Sequence, residues 1–212
     1  MTKLVCFDLD DTLIRDIHSV MLLCILNDKE QEHAYIQAQE EKGTFDYIAA
    51  DYLRAKLVEG LNENLIAEKF LNIIKPLKDI AETVNALHSA EIKSIVITVG
   101  PKQVAKAVCD VWGFDGYYGS DYEVVDGRFT GVIKKHIGDI GKVEYLKEYC
   151  AYAGISPDEC VAVGDGSTDI PLFEYCGKSI AINAAPIVAQ KATVSVFTDN
   201  LGDILPFILL TA

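Results

Sequence analysis

Lys3-Leu4-Val5-Cys6-Phe7-Asp8-Leu9-Asp10-Asp11-Thr12 is the stretch that decides the fold. Residues 3–9 form a short apolar run containing Val and Phe, and it ends in acids. An apolar run without alternation is the pattern of a strand buried on both faces of a parallel sheet. Its carboxyl end opens into a loop, the place where open α/β sheets bind ligands. Asp8 and Asp10 stand at i and i+2, so both carboxylates face one side while Leu9 packs the other way.

Residues 15–75 give no strand signal. Apolar residues recur there at helical spacing, as in Met21, Leu22, Ile25 and Leu26, or Leu65, Ile66, Phe70 and Ile73. Pro76 closes this all-helical insert. Beyond it strands and helices alternate: helix at 80–87, buried strand at 92–98, and a Gly100-Pro101 turn into a helix at 103–112. A hairpin at 122–131 is built on Asp126-Gly127, a type I′ turn signal. A helix at 143–152 precedes a strand at 160–163 that ends in Gly164-Asp165-Gly166, after which Ser167 or Thr168 caps the next helix. Short strands at 179–182 and 194–197 and a helix at 201–210 complete the chain. The alternation predicts an α/β fold, a doubly wound and mostly parallel sheet. Its core comprises residues 1–14 and 77–212, and residues 15–76 form a helical cap.

Composition bounds the function. The 212 residues suffice for one substantial core with a smaller module, and half are hydrophobic. A formal charge of −13 argues against nucleic acid and anionic membrane surfaces. No apolar run reaches the roughly 18 residues that span a bilayer, and the start of the sequence does not read as a secretion signal. Cys6, Cys24, Cys109, Cys150, Cys160 and Cys176 form no CxxC pair, which disfavours zinc; they read as reduced structural thiols of a cytoplasmic protein.

Three of these strands end in polar residues that the topology brings together: Asp8 with Asp10, Thr98, and Asp165. A carboxylate attacks phosphorus to give an acyl phosphate, splitting one difficult displacement into two easier steps. A second acid then protonates the leaving alcohol and later deprotonates water. In Gly164-Asp165-Gly166-Ser167-Thr168-Asp169 the glycines permit close backbone approach, and Asp169 falls in the first turn of a helix, where a capping acid is also expected. Four carboxylates around a phosphate need a strong positive charge, and Mg²⁺ with its oxygen ligands is the natural choice. Lys142, after Gly138 and Gly141, opens a helix and offers an ammonium and a positive dipole end; a plain surface lysine is its alternative. Thr98 offers a hydroxyl ahead of Val99-Gly100, or simply forms a turn.

Asp8-Leu9-Asp10-Asp11-Thr12, Ile95-Val96-Ile97-Thr98, Lys142, and Gly164-Asp165-Gly166-Ser167-Thr168-Asp169 together resemble the four motifs of the haloacid dehalogenase superfamily. The resemblance spans the chain, and the helical insert is similar to that superfamily's C1 cap on a Rossmann-like core. The layout is closer still to the phosphoserine phosphatases. The resemblance implies Asp8 as nucleophile and Asp10 as acid/base. It implies phosphate binding by Thr98, Val99, Gly100 and Lys142, and Mg²⁺ held by Asp8, the main-chain carbonyl of Asp10, and Asp165. Asp169 would support the metal waters and orient Lys142. The expected activity is Mg²⁺-dependent hydrolysis of a small phosphorylated metabolite, with phosphoserine leading and another small phosphate ester, or transfer to a different acceptor, as the alternative.

The chain departs from that pattern where the alcohol is read. Ile17 stands where phosphoserine phosphatases carry a glutamate for the substrate amine. Their cap arginine aligns near Arg54 or Lys56, with Arg15 a further cation in the cap. Thr98-Val99-Gly100 replaces Ser-Gly-Gly, and Thr168 replaces an asparagine. A receiver-like signalling domain is a remoter reading; it needs a phospho-accepting Asp at a strand end, and Asp51 lies in a helical pattern. A P-loop fails because His136 occupies the first glycine position before Gly141-Lys142.

Overall fold

The computed structural model describes residues 1–209; Leu210, at the end of the expected last helix, and residues 211–212 of the expected core lie outside the described residues. The chain opens with β1 (Leu4–Phe7) and the two-residue strand β2 (Ile14–Arg15). Four helices follow, α1 (Ser19–Leu26), α2 (Glu30–Glu41), α3 (Tyr47–Leu57) and α4 (Asn64–Ile73), and then β3 (Lys75–Pro76). Alternation begins with α5 (Ile80–Ser89), β4 (Lys93–Pro101), α6 (Lys102–Trp112), β5 (Gly116–Val125), β6 (Arg128–Lys135) and α7 (Asp139–Ala153). The last third holds β7 (Cys160–Gly164), α8 (Ile170–Tyr175), β8 (Lys178–Ile182), α9 (Pro186–Ala189), β9 (Val194–Val196) and α10 (Leu205–Leu209).

Seven strands form one sheet in the order β6-β5-β4-β1-β7-β8-β9. All neighbours are parallel except β5 and β6, which pair antiparallel. All four β1 residues are buried, and they alternate between two cores: Val5 and Phe7 join one, Leu4 and Cys6 the other. The first core is closed by Val84 and Leu87 of α5 and Val104 and Val108 of α6, the second by Leu146 of α7 and Leu172 of α8. The sheet is thus covered on both faces, as a near-continuous apolar strand requires. β4 and β7 flank β1, so the chain winds outward in both directions from it and leaves a crevice at its carboxyl end.

The insert shares the first core through Leu22, Leu23, Ala55, Ile66 and Phe70. α3 is capped by Asp46, whose carboxylate accepts from the Ala49 N–H at 2.8 Å. Two features went unread in the sequence. Ile14–Arg15 pairs antiparallel with Lys75–Pro76, so the two connections into the insert run as a short ribbon. The β5–β6 hairpin is stitched to the α3–α4 connection, with Gly60 N–H donating to Phe129 O at 2.8 Å and Phe129 N–H to Leu61 O at 3.0 Å. The hairpin turn is at Asp126-Gly127, where φ is 51° and 73°. β5 reaches back to Gly116 and pairs parallel with β4, well before the expected start of the hairpin. No helix among the described residues is long and apolar enough to cross a membrane. All six cysteines are buried free thiols.

Candidate active site

Asp8 is the first residue beyond β1, and its N–H donates to Val163 O at 2.8 Å, which docks this turn onto β7. Its Oδ1 lies 2.8 Å from Lys142 Nζ, and the same ammonium lies 2.8 Å from Asp169 Oδ1. Lys142 sits in the first turn of α7 and is 1% exposed, so it is no surface lysine. Burial works against its charge, but Asp169 and Asp8 outweigh burial and hold the ammonium above its ordinary range. Burial and the Asp169 carboxylate push the Asp8 carboxyl well up, with Lys142 opposing them.

Asp165 follows the last residue of β7. Its Oδ1 accepts from Thr12 Oγ1 at 2.8 Å, and burial pushes its carboxyl up to about 7 against that hydrogen bond. Asp169 ends a single 3-10 turn, Ser167–Asp169, and its Oδ2 accepts from the Asp165 and Gly166 N–H groups, both at 3.1 Å. Neither Ser167 nor Thr168 caps α8, which has no side-chain cap; Asp169 reaches backward to close the 3-10 turn, and Thr168 Oγ1 lies 3.3 Å from Lys142 Nζ. Gly164 makes room for this: a Cβ there would meet Asp169 Cγ at 2.3 Å.

Asp10 is held apart from this cluster. Ser19 at the start of α1 donates its N–H to Oδ1 and its hydroxyl to Oδ2, both at 2.6 Å. Burial raises the Asp10 carboxyl, and the Ser19 hydrogen bonds oppose it. The two motif-one carboxylates thus occupy different settings, one against an ammonium and one against neutral donors, which suits a nucleophile and a proton carrier. Gly100 is packed onto Ser19, where a Cβ would lie 2.1 Å from its hydroxyl oxygen. Thr98 is buried, and its Oγ1 accepts the Gly100 N–H at 3.0 Å, leaving the hydroxyl hydrogen for another acceptor. Ser120 ties the two neighbouring loops together: its Oγ donates to Val99 O at 2.5 Å and accepts the Ile137 N–H at 2.9 Å.

Carboxylate oxygens of Asp8, Asp165 and Asp169 lie within 4.8 Å of one another. Three acids against one ammonium leave net negative charge in a buried space, and an all-oxygen donor set fits a hard divalent cation. Both Asp169 oxygens are already engaged, whereas Asp8 and Asp165 each show one oxygen with no donor among the described residues, so the latter pair is better placed to hold the ion.

A cleft of about 670 Å³ extends from Asp10, Val99 and Gly100 to the insert, where Arg54 lines it together with His33 and Glu40. Arg15 and Lys56 are exposed and do not line it; Lys56 backs onto the hairpin at Gly131. Ile17 packs against the first core. Asp51 lies within α3, not at a strand end. Thr12, Ser19 and Ser120 are the supporting residues that sequence reading passed over. Thr12 was inside the quoted run, but its partner is 153 positions away; Ser19 and Ser120 had no motif to mark them.

The chain aligns over its length with known proteins. It is 29% identical over 210 residues to the phosphoserine phosphatase of Streptomyces coelicolor, covering 99% of this chain and 51% of that one. It therefore spans about half the length of that relative. It is 31% identical to the phosphoserine phosphatase of Idiomarina loihiensis, covering 95% of this chain and 91% of that one. A solved phospho-aspartyl intermediate analogue of phosphoserine phosphatase superposes with a TM-score of 0.81 at 27% identity, covering 98% and 99% of the two chains. Two carboxylates just beyond the end of β1, with Lys142 and Asp165 delivered beside the first of them by neighbouring elements, agree with the match of residues 5–174 to one family model, and the chain belongs to the haloacid dehalogenase-like hydrolases.

Proposed function

We propose that this chain is a Mg²⁺-dependent phosphomonoester hydrolase that works through an aspartyl-phosphate on Asp8. The observation that carries the reading is the pairing of Asp8 with the buried Lys142 at 2.8 Å, beside an Asp10 oriented separately by Ser19. Asp8, the main-chain carbonyl of Asp10, and Asp165 would hold Mg²⁺, with Asp169 in support. When bound, the ion neutralises the carboxylates and the charge that develops on phosphoryl oxygens. Thr98, the main chain at Val99 and Gly100, and Lys142 bind the phosphate. An Asp8 oxygen attacks phosphorus as the ester P–O bond breaks, and Asp10 gives its proton to the departing alkoxide. Asp10 then takes a proton from water, whose oxygen attacks the acyl phosphate, releasing inorganic phosphate and restoring the Asp8 carboxylate.

Residues 15–76 act as a cap over a core of 1–14 and 77–212, and of Arg15, Arg54 and Lys56 it is Arg54 that lines the cleft, paired there with Glu40 and Asp51. The substrate is a small phosphorylated metabolite, and the enzyme is cytoplasmic. Phosphoserine leads by relationship, since the relatives described above carry that name. Another small phosphate ester is the second reading, favoured by Ile17 being spent on core packing. The test is hydrolysis of an aryl phosphate. The proposal expects activity that requires added Mg²⁺ and vanishes in Asp8→Asn; full activity in that variant overturns it.

A further inference from the structure

On the insert side the cleft wall bears Asp16, Glu40, Glu41 and Asp51. Among the described residues lining it, Arg54 and His18 can carry positive charge beside His33, which burial, Arg54 and His18 hold down to about 4 and therefore neutral at physiological pH. His18 faces Asp11 Oδ2 at 2.9 Å. Arg54 is buried and its charge is already paired with two carboxylates: Nη2 donates to Glu40 Oε2 at 2.5 Å and Nη1 to Asp51 Oδ1 at 3.2 Å. Asp51 is fixed in turn by His136 Nε2, 3.0 Å from its other oxygen, on the segment that leads into α7.

A guanidinium recognises a carboxylate or phosphate best through two parallel N–H donors. Here each terminal nitrogen already gives one of its two N–H groups to a carboxylate, and Nε is buried with no partner among the described residues. An anionic group brought to Arg54 would meet one attraction and two repulsions at similar range, in a setting where charges are poorly screened.

We infer that Glu40 and Asp51 are specificity-determining residues: by neutralising Arg54 in advance, they restrict the cleft to phosphate esters whose alcohol portion bears no second anionic group. The inference rests on the phosphatase reading above and, within it, favours the second reading, another small phosphate ester, over phosphoserine. It selects esters of neutral or cationic alcohols and disfavours phosphorylated carboxylic acids and bisphosphates.

Phosphoserine and phosphoethanolamine form a matched pair that differs only in the carboxylate. The expected wild-type kcat/KM favours phosphoethanolamine by about tenfold or more, the scale of an unfavourable like-charge contact. Glu40→Gln and Asp51→Asn, made separately so that one misfolded variant does not decide the matter, should each shrink that ratio several-fold, chiefly through a lower KM for phosphoserine. A wild-type ratio at or below unity, or a ratio unmoved in both variants, overturns the inference. Calorimetric titration of both esters into the Asp8→Asn protein reads the same selectivity without turnover. An enzyme inert toward aryl phosphate would thus count against the phosphatase reading while the charge selectivity was still measured.

Discussion

Ser19→Ala isolates one contact to the proposed acid/base. The Ser19 hydroxyl lies 2.6 Å from Asp10 Oδ2, while its N–H holds Oδ1 at the same distance, so the substitution removes one of two hydrogen bonds and keeps the other. A hydrogen bond to a charged partner is worth about 1.5–3 kcal/mol, and each factor of ten in rate corresponds to about 1.4 kcal/mol. The predicted fall in kcat/KM for aryl phosphate is therefore about ten- to 150-fold. Gly100→Ala attacks the same contact from the other side, because its Cβ would sit 2.1 Å from the Ser19 oxygen and must expel it. The double variant relieves that clash, leaving Cβ at 3.2 Å from Ser19 Cβ and from Asp10 Oδ2. Its activity should equal or exceed that of Gly100→Ala alone, a marked departure from additivity. Steady-state kinetics at saturating Mg²⁺, with thermal melts to confirm folding, measure all three. Wild-type activity in Ser19→Ala, or losses that simply add, would refute the assignment.

Lys142→Met leaves Asp8 and Asp169 buried without their shared cation. Breaking a buried ion pair from one side costs about 3–5 kcal/mol of stability, readable by denaturant titration, and activity should fall at least about a hundredfold. His33 carries a pH signature: its ordinary value is 6.5, and burial, with Arg54 and His18, lowers it to about 4. Between those values the unfolded chain takes up a proton that folded His33 refuses, so stability should decline as pH falls through that window and be complete above it. His33→Gln should flatten that part of the stability profile; an unchanged slope would show that His33 does not titrate as its setting implies.

Much of this was legible in sequence because the deciding features are local. An apolar run ending in Asp8-Leu9-Asp10 specifies a buried strand and what stands at its end. Asp126-Gly127 specifies its own turn. Residues 116–120 read Gly-Tyr-Tyr-Gly-Ser, with no apolar run, so the parallel half of β5 was hidden. The β2–β3 ribbon is too short for any periodicity to register. The grip of Ser19 on Asp10 depends on the angle at which α1 enters, which packing sets. The ionic chain from Glu40 through Arg54 and Asp51 to His136 joins α2, α3 and the segment before α7. Nothing in their spacing joins these residues, and only the fold makes them neighbours.

Turnover by this route requires that Asp8 become covalently phosphorylated. Rapid acid quenching during turnover, followed by digestion and mass spectrometry, tests it directly. The expected result is one phosphoryl group on the peptide that contains Asp8, labile to hydroxylamine and absent from Asp8→Asn. A phosphoryl group carried by another residue, or sustained turnover in Asp8→Asn, would contradict it.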